Sequence, residues 1–397
     1  MVTAETSSDR PAGIRSSAGF TPELEGLRGV AALLVVAYHC DALLRPLETS
    51  PPAGLLAPLR AFVFEGHTGV TLFFVLSAFL LSRPFLAGAR SGRAPSVTHF
   101  LERRALRILP LYGLAVVVAT ALLASSPADL LHGLPYLLFL NANSAWVTSL
   151  YPYSAAWWSL ATEAQFYLLL PLGGVLAASR PGRLLLAGAA LAYAAALFAF
   201  DTHRLGANEV EPQLALCLSV FGRGSAFLGG IAAAWLCERH GPRIRDAAAR
   251  SLWMRRGGAD LLLAALVLAL GLLLQRVAQL GFWVAETAMH AWHVPEALLW
   301  SAVLLVVLLL PLRSRAIFAG RLLGWIGVIS YSVYLWHYPI LKAVLAPLHV
   351  PGRGGPGLTP RSFAVACLGL ALTAAVSVLT YRFVERPFLV RKARIEG

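Results

Sequence analysis

Charged residues are scarce in this 397-residue chain, at 13% of the total, whereas a soluble domain typically carries about 25%. Hydrophobic residues make up 58%. Apolar segments follow one another through nearly the whole chain, so we expect one membrane domain and not two soluble ones. The polar residues 1–22 lack a short apolar core with a small-residue cleavage site. We therefore expect a disordered cytoplasmic tail there and no cleaved signal peptide.

Cysteine is also scarce, and its spacing excludes two kinds of stabilising site. The four cysteines, Cys40, Cys217, Cys237 and Cys367, lie in or beside apolar segments and form no CxxC pair. They predict neither a zinc site nor a disulfide framework. The sequence has no glycine-rich phosphate loop either, and we expect no bound metal or cofactor.

The hydrophobic pattern predicts an all-α, polytopic membrane bundle with about ten transmembrane helices. The predicted spans are 28–45, 62–82, 105–124, 158–178, 184–200, 213–236, 259–277, 296–312, 322–346 and 362–382. With a cytoplasmic N-terminus, 25 of the 33 Lys and Arg residues fall in cytoplasmic segments. The positive-inside rule then places both termini in the cytoplasm. The net charge of +13 is thus a sign of topology, and no nucleic-acid partner is predicted.

The apolar segment 134–147 does not fit this pattern as a span. It is too short to cross a bilayer, and counting it as a span would invert every later loop against the charge rule. We therefore expect it to lie outside the membrane or to be re-entrant.

The first predicted span carries an arginine and a histidine at a telling spacing. Arg28 and His39 are eleven residues apart, which puts both on one face of a helix, roughly 16 Å apart along its axis. An ionisable group at that depth is costly, so it is a hypothesis for a functional site. A histidine held there by a neighbouring helix is the structural alternative. Asp41 lies about 200° around the helix from His39 and is poorly placed to orient it.

Six motifs in order resemble the acyltransferase-3 family of integral membrane O-acyltransferases over roughly residues 20–390. They are Arg28-x10-His39, GVTLFFVLSAFLLSRPF (69–85), RRALRILPLY (103–112), WSLATEAQFYLLLP (158–171), IGVISYSVYLWHYPIL (326–341) and YRFVERPF (381–388). The domain is predicted over 23–390, with a cytoplasmic tail at 391–397. Ala78 stands where the family usually has glycine, which puts the local packing in doubt. We expect none of the appended extracytoplasmic domain that some relatives carry.

The resemblance implies transfer of an acyl group from acyl-CoA, as co-substrate, to a hydroxyl of a sugar-containing acceptor. The acceptor would be a cell-envelope glycan or a macrolide-type metabolite, and the protein would lie in the bacterial inner membrane among lipids. His39 suits a general base, because a histidine titrates near neutral pH. No Ser-His-Asp or Cys-His pattern is evident in the sequence, so direct transfer is preferred.

Cations for the donor phosphates are predicted near the cytoplasmic ends of the first three spans. Arg28, Arg104 and Arg107 are the main candidates, and Arg83 is a further one. For Arg104, Arg107 and Arg83 there is an alternative, in which they are part of the ordinary excess of positive charge on the cytoplasmic side of a membrane protein.

Five more residues are candidates for the acceptor pocket, each with a structural alternative. Glu163 and Arg223 form either a buried ion pair with each other or part of the pocket. Trp158 and Tyr334 are either interfacial aromatics or platforms for a sugar. His337 is either a structural histidine or a pocket residue. Glu385 beside Arg386 is interpreted as an interfacial ion pair.

An exporter or flippase of a sugar-containing lipid or metabolite is the rival function. Ten spans with a few buried charges would suit it, but transporters often show paired broken helices in two related halves, and the sequence does not indicate them. Release of free CoA from acyl-CoA would distinguish the two functions. The oligomeric state is not predicted.

Overall fold

The computed structural model describes residues 21–92, 95–123, 126–128, 153–202, 216–280, 289–349 and 352–394. Of the earlier predictions, segment 134–147 lies outside these ranges, and so does most of the tail predicted at 1–22. Pro22 within that tail already begins a helix. Within the described ranges the regular structure is helical, and one isolated antiparallel bridge joins Pro46 to Gly354.

Fourteen α-helices are found in the described ranges. They are α1 (Pro22–Leu44), α2 (Ala57–Phe64), α3 (Thr68–Ser91), α4 (Val97–Leu123), α5 (Trp158–Ala177), α6 (Arg180–Thr202), α7 (Gly224–Arg250), α8 (Ala259–Leu280), α9 (Met289–Leu309), α10 (Arg315–Phe318), α11 (Arg321–Val328), α12 (Ser330–Leu345), α13 (Pro360–Thr380) and α14 (Arg386–Arg394). A π-helical turn at Met254–Gly258 precedes α8, another at Tyr381–Glu385 joins α13 to α14, and a 3₁₀ turn at Ala346–Leu348 follows α12.

Eight described helices are long and apolar enough to cross a membrane. A ninth span results if α10–α11 and α12 with its 3₁₀ turn, which meet at a bend of 59°, cross together. The multi-pass, all-helical prediction is confirmed, while the count of ten and the cytoplasmic position of both termini stay predictions. The span predicted at 213–236 is not among the eight, because α7 begins only at Gly224 and its second half is rich in arginine.

Two close helix contacts depend on glycine. A Cβ placed on Gly327 would lie 1.9 Å from the carbonyl oxygen of Glu25, so α11 packs directly against the backbone of α1. A Cβ on Gly230 would lie 2.3 Å from the carbonyl oxygen of Val75, which brings α7 equally close to α3. Small residues allow such backbone approach between membrane helices. The first contact sets the bend between α11 and α12 beside the start of α1.

The residue that departs from the family pattern, Ala78, is accommodated at the second contact. It is fully buried on α3, and its methyl group lies in the space that a Cβ on Gly230 would need, 2.7 Å from that position. Nearby, Phe227 of α7 stacks on Phe166 of α5 with ring centroids 4.3 Å apart, and packs against Phe74 of α3 at 4.7 Å. These contacts join α3, α5 and α7 into one wall of the bundle.

Candidate active site

A cavity of about 820 Å³, counting space open to the surroundings, lies among α1, α3, α4, α5 and α12. Its lining is apolar on the α3 side and polar on the others. The lining residues are Arg28, Val70, Phe73, Phe74, Leu76, Ser77, Leu80, Leu81, Arg104, Arg107, Ile108, Ser159, Leu160, Glu163, Tyr167, Ser330, Tyr331 and Tyr334. Five of the ten candidates from the sequence line this cavity, and the other five do not.

Arg28 reaches the cavity from α1 at the bend between α11 and α12. Its Nη2 donates a hydrogen bond to Ser330 Oγ at 3.3 Å, and its Nη1 lies 3.6 Å from Glu25 Oε1. Ser330 is the first residue of α12, so the guanidinium lies at the N-terminal end of that helix. Two sources of positive potential therefore meet at this edge of the cavity.

Arg104 and Arg107, one turn apart on α4, differ in their partners. Arg107 forms a buried ion pair with Glu385, whose other oxygen accepts a hydrogen bond from Ser332 Oγ at 2.7 Å. Arg104 has no acidic partner at ion-pair distance in the described part of the chain, and its buried Nε finds no hydrogen-bond acceptor there. Its guanidinium lies 6.0 Å from the ring centre of Tyr167. Of the two, Arg107 is the one that has an acidic partner among the described residues.

Glu163 and Tyr334 both line the cavity, and hydrogen bonds hold both side chains. Glu163 Oε1 accepts a hydrogen bond from Ser77 Oγ at 2.6 Å. Tyr334 donates its hydroxyl proton to the carbonyl oxygen of Ala156 and lies 2.6 Å from Ser159 Oγ. The phenol is thereby anchored to the segment that leads into α5, with its ring 6.0 Å from Phe73 across the cavity.

His39 does not line the cavity and is linked to it through His337, whose ring lies 5.7 Å from that of the lining residue Tyr334. Its Nδ1 is 3.0 Å from His337 Nε2 and 3.0 Å from the carbonyl oxygen of Val35. His337 Nδ1 is in turn 2.8 Å from the carbonyl oxygen of Tyr334. Both imidazoles are buried, so the two histidines singled out separately in the sequence form one hydrogen-bonded pair.

Arg223 lies away from the cavity and does not meet Glu163. Its Nη1 is 2.8 Å from His293 Nδ1, and its guanidinium lies 5.1 Å from the ring centre of Trp158. Glu296 Oε2 is 3.6 Å from the same His293 nitrogen. Of the two alternatives for Glu163 and Arg223, the ion pair does not form, because each is bound by other partners. Trp158 packs under this arginine and not along the cavity.

The carboxylate at the centre of this second group, Glu296, is fully buried. It accepts hydrogen bonds from Thr68 Oγ1 at 2.5 Å and from Thr71 Oγ1 at 2.9 Å, and Trp300 Nε1 donates to Thr68 Oγ1 at 2.8 Å. We call Arg223, His293, Glu296 and these two threonines the Arg223 cluster. It links α3 and α9 with the turn that begins α7.

Arg83 is also outside the cavity. Its side chain is 38% exposed, and its Nε lies 3.6 Å from Glu238 Oε1 on α7. Arg90 shares the same carboxylate at 2.6 Å. Of the four arginines proposed for the donor, this is the one that does not line the cavity, and its ion pair joins α3 to α7.

Two buried carboxylates were not singled out correctly from the sequence. Glu385 was paired with its neighbour Arg386, but its partner is Arg107, 278 residues away. Glu296 was not singled out at all, although it is the first residue of a predicted span, and an acidic residue within a span almost always has a partner. That signal was available for Glu296, whereas the pairing of Glu385 depends on how distant helices meet.

The apolar helices define a multi-pass membrane protein, and three arginines line the cavity between them. The family model described as an acyltransferase domain matches residues 21–382. The chain belongs to the acyltransferase-3 family.

Two relatives illustrate the range of this family. The chain is 26% identical over 396 residues to peptidoglycan O-acetyltransferase OatA of Listeria monocytogenes, with 94% of this chain and 56% of the relative covered. It is 27% identical over 335 residues to the exopolysaccharide production protein ExoZ of Rhizobium meliloti, with 82% and 90% covered. The chain thus spans about half the length of OatA but most of ExoZ. No solved structure matches the chain.

Proposed function

We propose that the protein moves an acyl group from acyl-CoA to a hydroxyl of a sugar-containing acceptor. Family membership supports acyl transfer, and the names of OatA and ExoZ point to glycans as the acceptor class. A cell-envelope glycan is the acceptor we favour, and a macrolide-type metabolite with a sugar hydroxyl would present the same chemistry. The inner membrane of a bacterium is the proposed location.

The observation that carries this proposal is an arginine in the cavity, Arg104, whose buried Nε has no acceptor among the described residues. Arg28 lies on the same cavity beside the N-terminus of α12. A guanidinium suits bidentate binding of phosphate, and a helix N-terminus also favours an anion. The phosphates of a CoA donor would supply the missing acceptors. Arg107 would add positive potential while its own hydrogen bonds go to Glu385.

The acyl end of such a donor would point from Arg28 toward His39. The two residues lie on one helix about 16 Å apart along its axis, a gap that the extended pantetheine arm of CoA suits. His39 would take the proton of the acceptor hydroxyl as its oxygen attacks the thioester carbonyl. The carbon–sulfur bond then breaks, and the CoA thiolate leaves and regains that proton from the imidazolium. Glu163 and Tyr334 are the pocket residues that we propose for contact with the reactants.

Incubation of the purified full chain with acetyl-CoA tests the proposal. We expect release of free CoA thiol that increases when chito-oligosaccharides or gluco-oligosaccharides are added, and a mass gain of one acetyl group on the acceptor. His39→Gln, prepared in the same way, is the control for non-enzymatic hydrolysis. No CoA release above that control would contradict the proposal. Uptake of a labelled oligosaccharide into vesicles without CoA release would instead support the exporter.

A further inference from the structure

The hydrogen bonds around the histidine pair define which nitrogen carries each proton. His337 Nδ1 lies 2.8 Å from the carbonyl oxygen of Tyr334. A carbonyl oxygen only accepts hydrogen bonds, so this nitrogen must be the protonated one. In neutral His337 the lone pair is therefore on Nε2, and that atom faces His39 Nδ1 at 3.0 Å.

The same reasoning applies to His39. Its Nδ1 lies between two acceptors, the carbonyl oxygen of Val35 and the lone pair of His337 Nε2, each at 3.0 Å. It must therefore carry the proton and share it between them. The lone pair of neutral His39 is then on Nε2, the nitrogen that points away from His337. A general base needs a lone pair on a nitrogen that is not already hydrogen-bonded to His337, and Nε2 of His39 provides it.

We propose that His337 is the positioning residue of the active site, which holds His39 in the Nδ1–H tautomer and stabilises the imidazolium formed when its Nε2 takes the acceptor proton. This inference rests on the proposed function, in which His39 is the base. In serine hydrolases an aspartate accepts from the base histidine. In the described part of this chain no carboxylate is hydrogen-bonded to either imidazole, and a neutral histidine fills that position.

The surroundings of the pair suit a neutral acceptor. The His39 ring has edge contacts with Tyr38 and Tyr338 at centroid distances of 4.9 and 5.1 Å, and His67 contacts Tyr38 from the start of α3. A phenol ionises only at about pH 10, so the two tyrosines are uncharged at neutral pH, while His67 Nδ1 has the carboxylate of Glu65 at 3.3 Å. A protonated His337 would place two N–H groups face to face at 3.0 Å, so His337 must stay neutral while His39 turns over.

Two substitutions of His337 test the proposal. His337→Leu removes the acceptor, and kcat for CoA release from acetyl-CoA with chito-oligosaccharides should fall about 10- to 100-fold, as for other partners that orient a histidine. The KM for acetyl-CoA should change little, because His337 does not line the cavity. His337→Gln places an amide oxygen close to the position of Nε2 and should restore part of kcat. His349→Leu, the same change at an exposed histidine, should have no effect.

An activity-independent measurement separates this proposal from the proposed function. In the full chain with ¹⁵N-labelled histidine, assigned by comparison with His39→Gln, the His39 signals should be those of a protonated Nδ1 and an unprotonated Nε2. A protonated Nε2 in the neutral protein would overturn the proposal, as would unchanged kcat in both His337 variants. No CoA release by the unmodified chain would overturn the proposed function and, with it, this assignment.

Discussion

Two groups of ionisable side chains lie between the helices, and they differ in what they face. Arg28, Arg104 and Glu163 line a cavity, and the Nε of Arg104 has no acceptor in the described residues. The Arg223 cluster lies outside this cavity, and its carboxylate is enclosed by donors from two threonines. Both groups occupy apolar surroundings where an unpaired charge is costly. Depth in the bundle alone therefore does not identify a site; the cavity that the first group lines is what distinguishes the two.

The largest effect that this comparison predicts is at His39, beside the cavity. His39→Gln should lower kcat by about 10²- to 10⁴-fold, the usual contribution of a positioned base, because an amide cannot take the proton. Binding of acetyl-CoA should be nearly unchanged, since the cations of the cavity remain. Steady-state turnover and equilibrium binding on the same preparation measure the two quantities. Near-normal turnover would make His39 a residue that only positions the reactants.

The next effect concerns Arg107, which combines a cavity position with a buried partner. Arg107→Met leaves the carboxylate of Glu385 buried without its cation and should cost about 3–5 kcal/mol of stability. The double variant Arg107→Met with Glu385→Gln removes both charges and should recover most of it, because Gln still accepts from Ser332. Thermal unfolding in detergent is the measurement. A double variant as unstable as the single one would show that the ion pair is not the cause.

A smaller effect is expected in the Arg223 cluster. Glu296→Gln replaces one acceptor oxygen by an N–H₂ group that faces a threonine hydroxyl, and removes the negative charge near Arg223. The loss of stability should be about 1–3 kcal/mol, seen as a lower melting temperature. Acetyl-CoA binding to the folded fraction should not change. A large loss of binding without a loss of stability would place this cluster in the active site.

The smallest effect is expected at Arg83. Its ion pair with Glu238 is partly exposed, and such pairs contribute about 0.2–1 kcal/mol. Arg83→Ala should therefore lower the melting temperature by no more than a few degrees. It should leave the KM for acetyl-CoA unchanged. An increase in KM comparable to that of a cavity arginine would return Arg83 to the donor site.

The order of the motifs sufficed to predict the family, and helical geometry sufficed to place Arg28 and His39 on one face of α1. Contacts between distant helices were not predictable in the same way. His39 meets a residue 298 positions away, and Arg107 one 278 positions away, because helix packing joins faces that no local period relates. The ion pair between Glu163 and Arg223, one of the two alternatives for these residues, does not form for this reason. That pairing matches two opposite charges, but in the structure Arg223 is bound by His293 and Glu163 by Ser77.

The distinction between Arg104 and its neighbours on α4 is the central claim, and equilibrium binding of radiolabelled CoA tests it most directly. Arg104→Ala should weaken binding about 10- to 100-fold, since charge-assisted phosphate contacts contribute about 1.5–3 kcal/mol, while the melting temperature is kept. Arg103→Ala, which removes the same charge one residue away and outside the cavity lining, should bind CoA like the unmodified chain. If Arg104→Ala bound CoA as tightly as Arg103→Ala and the unmodified chain do, Arg104 would contribute only to membrane topology, and the account would be contradicted.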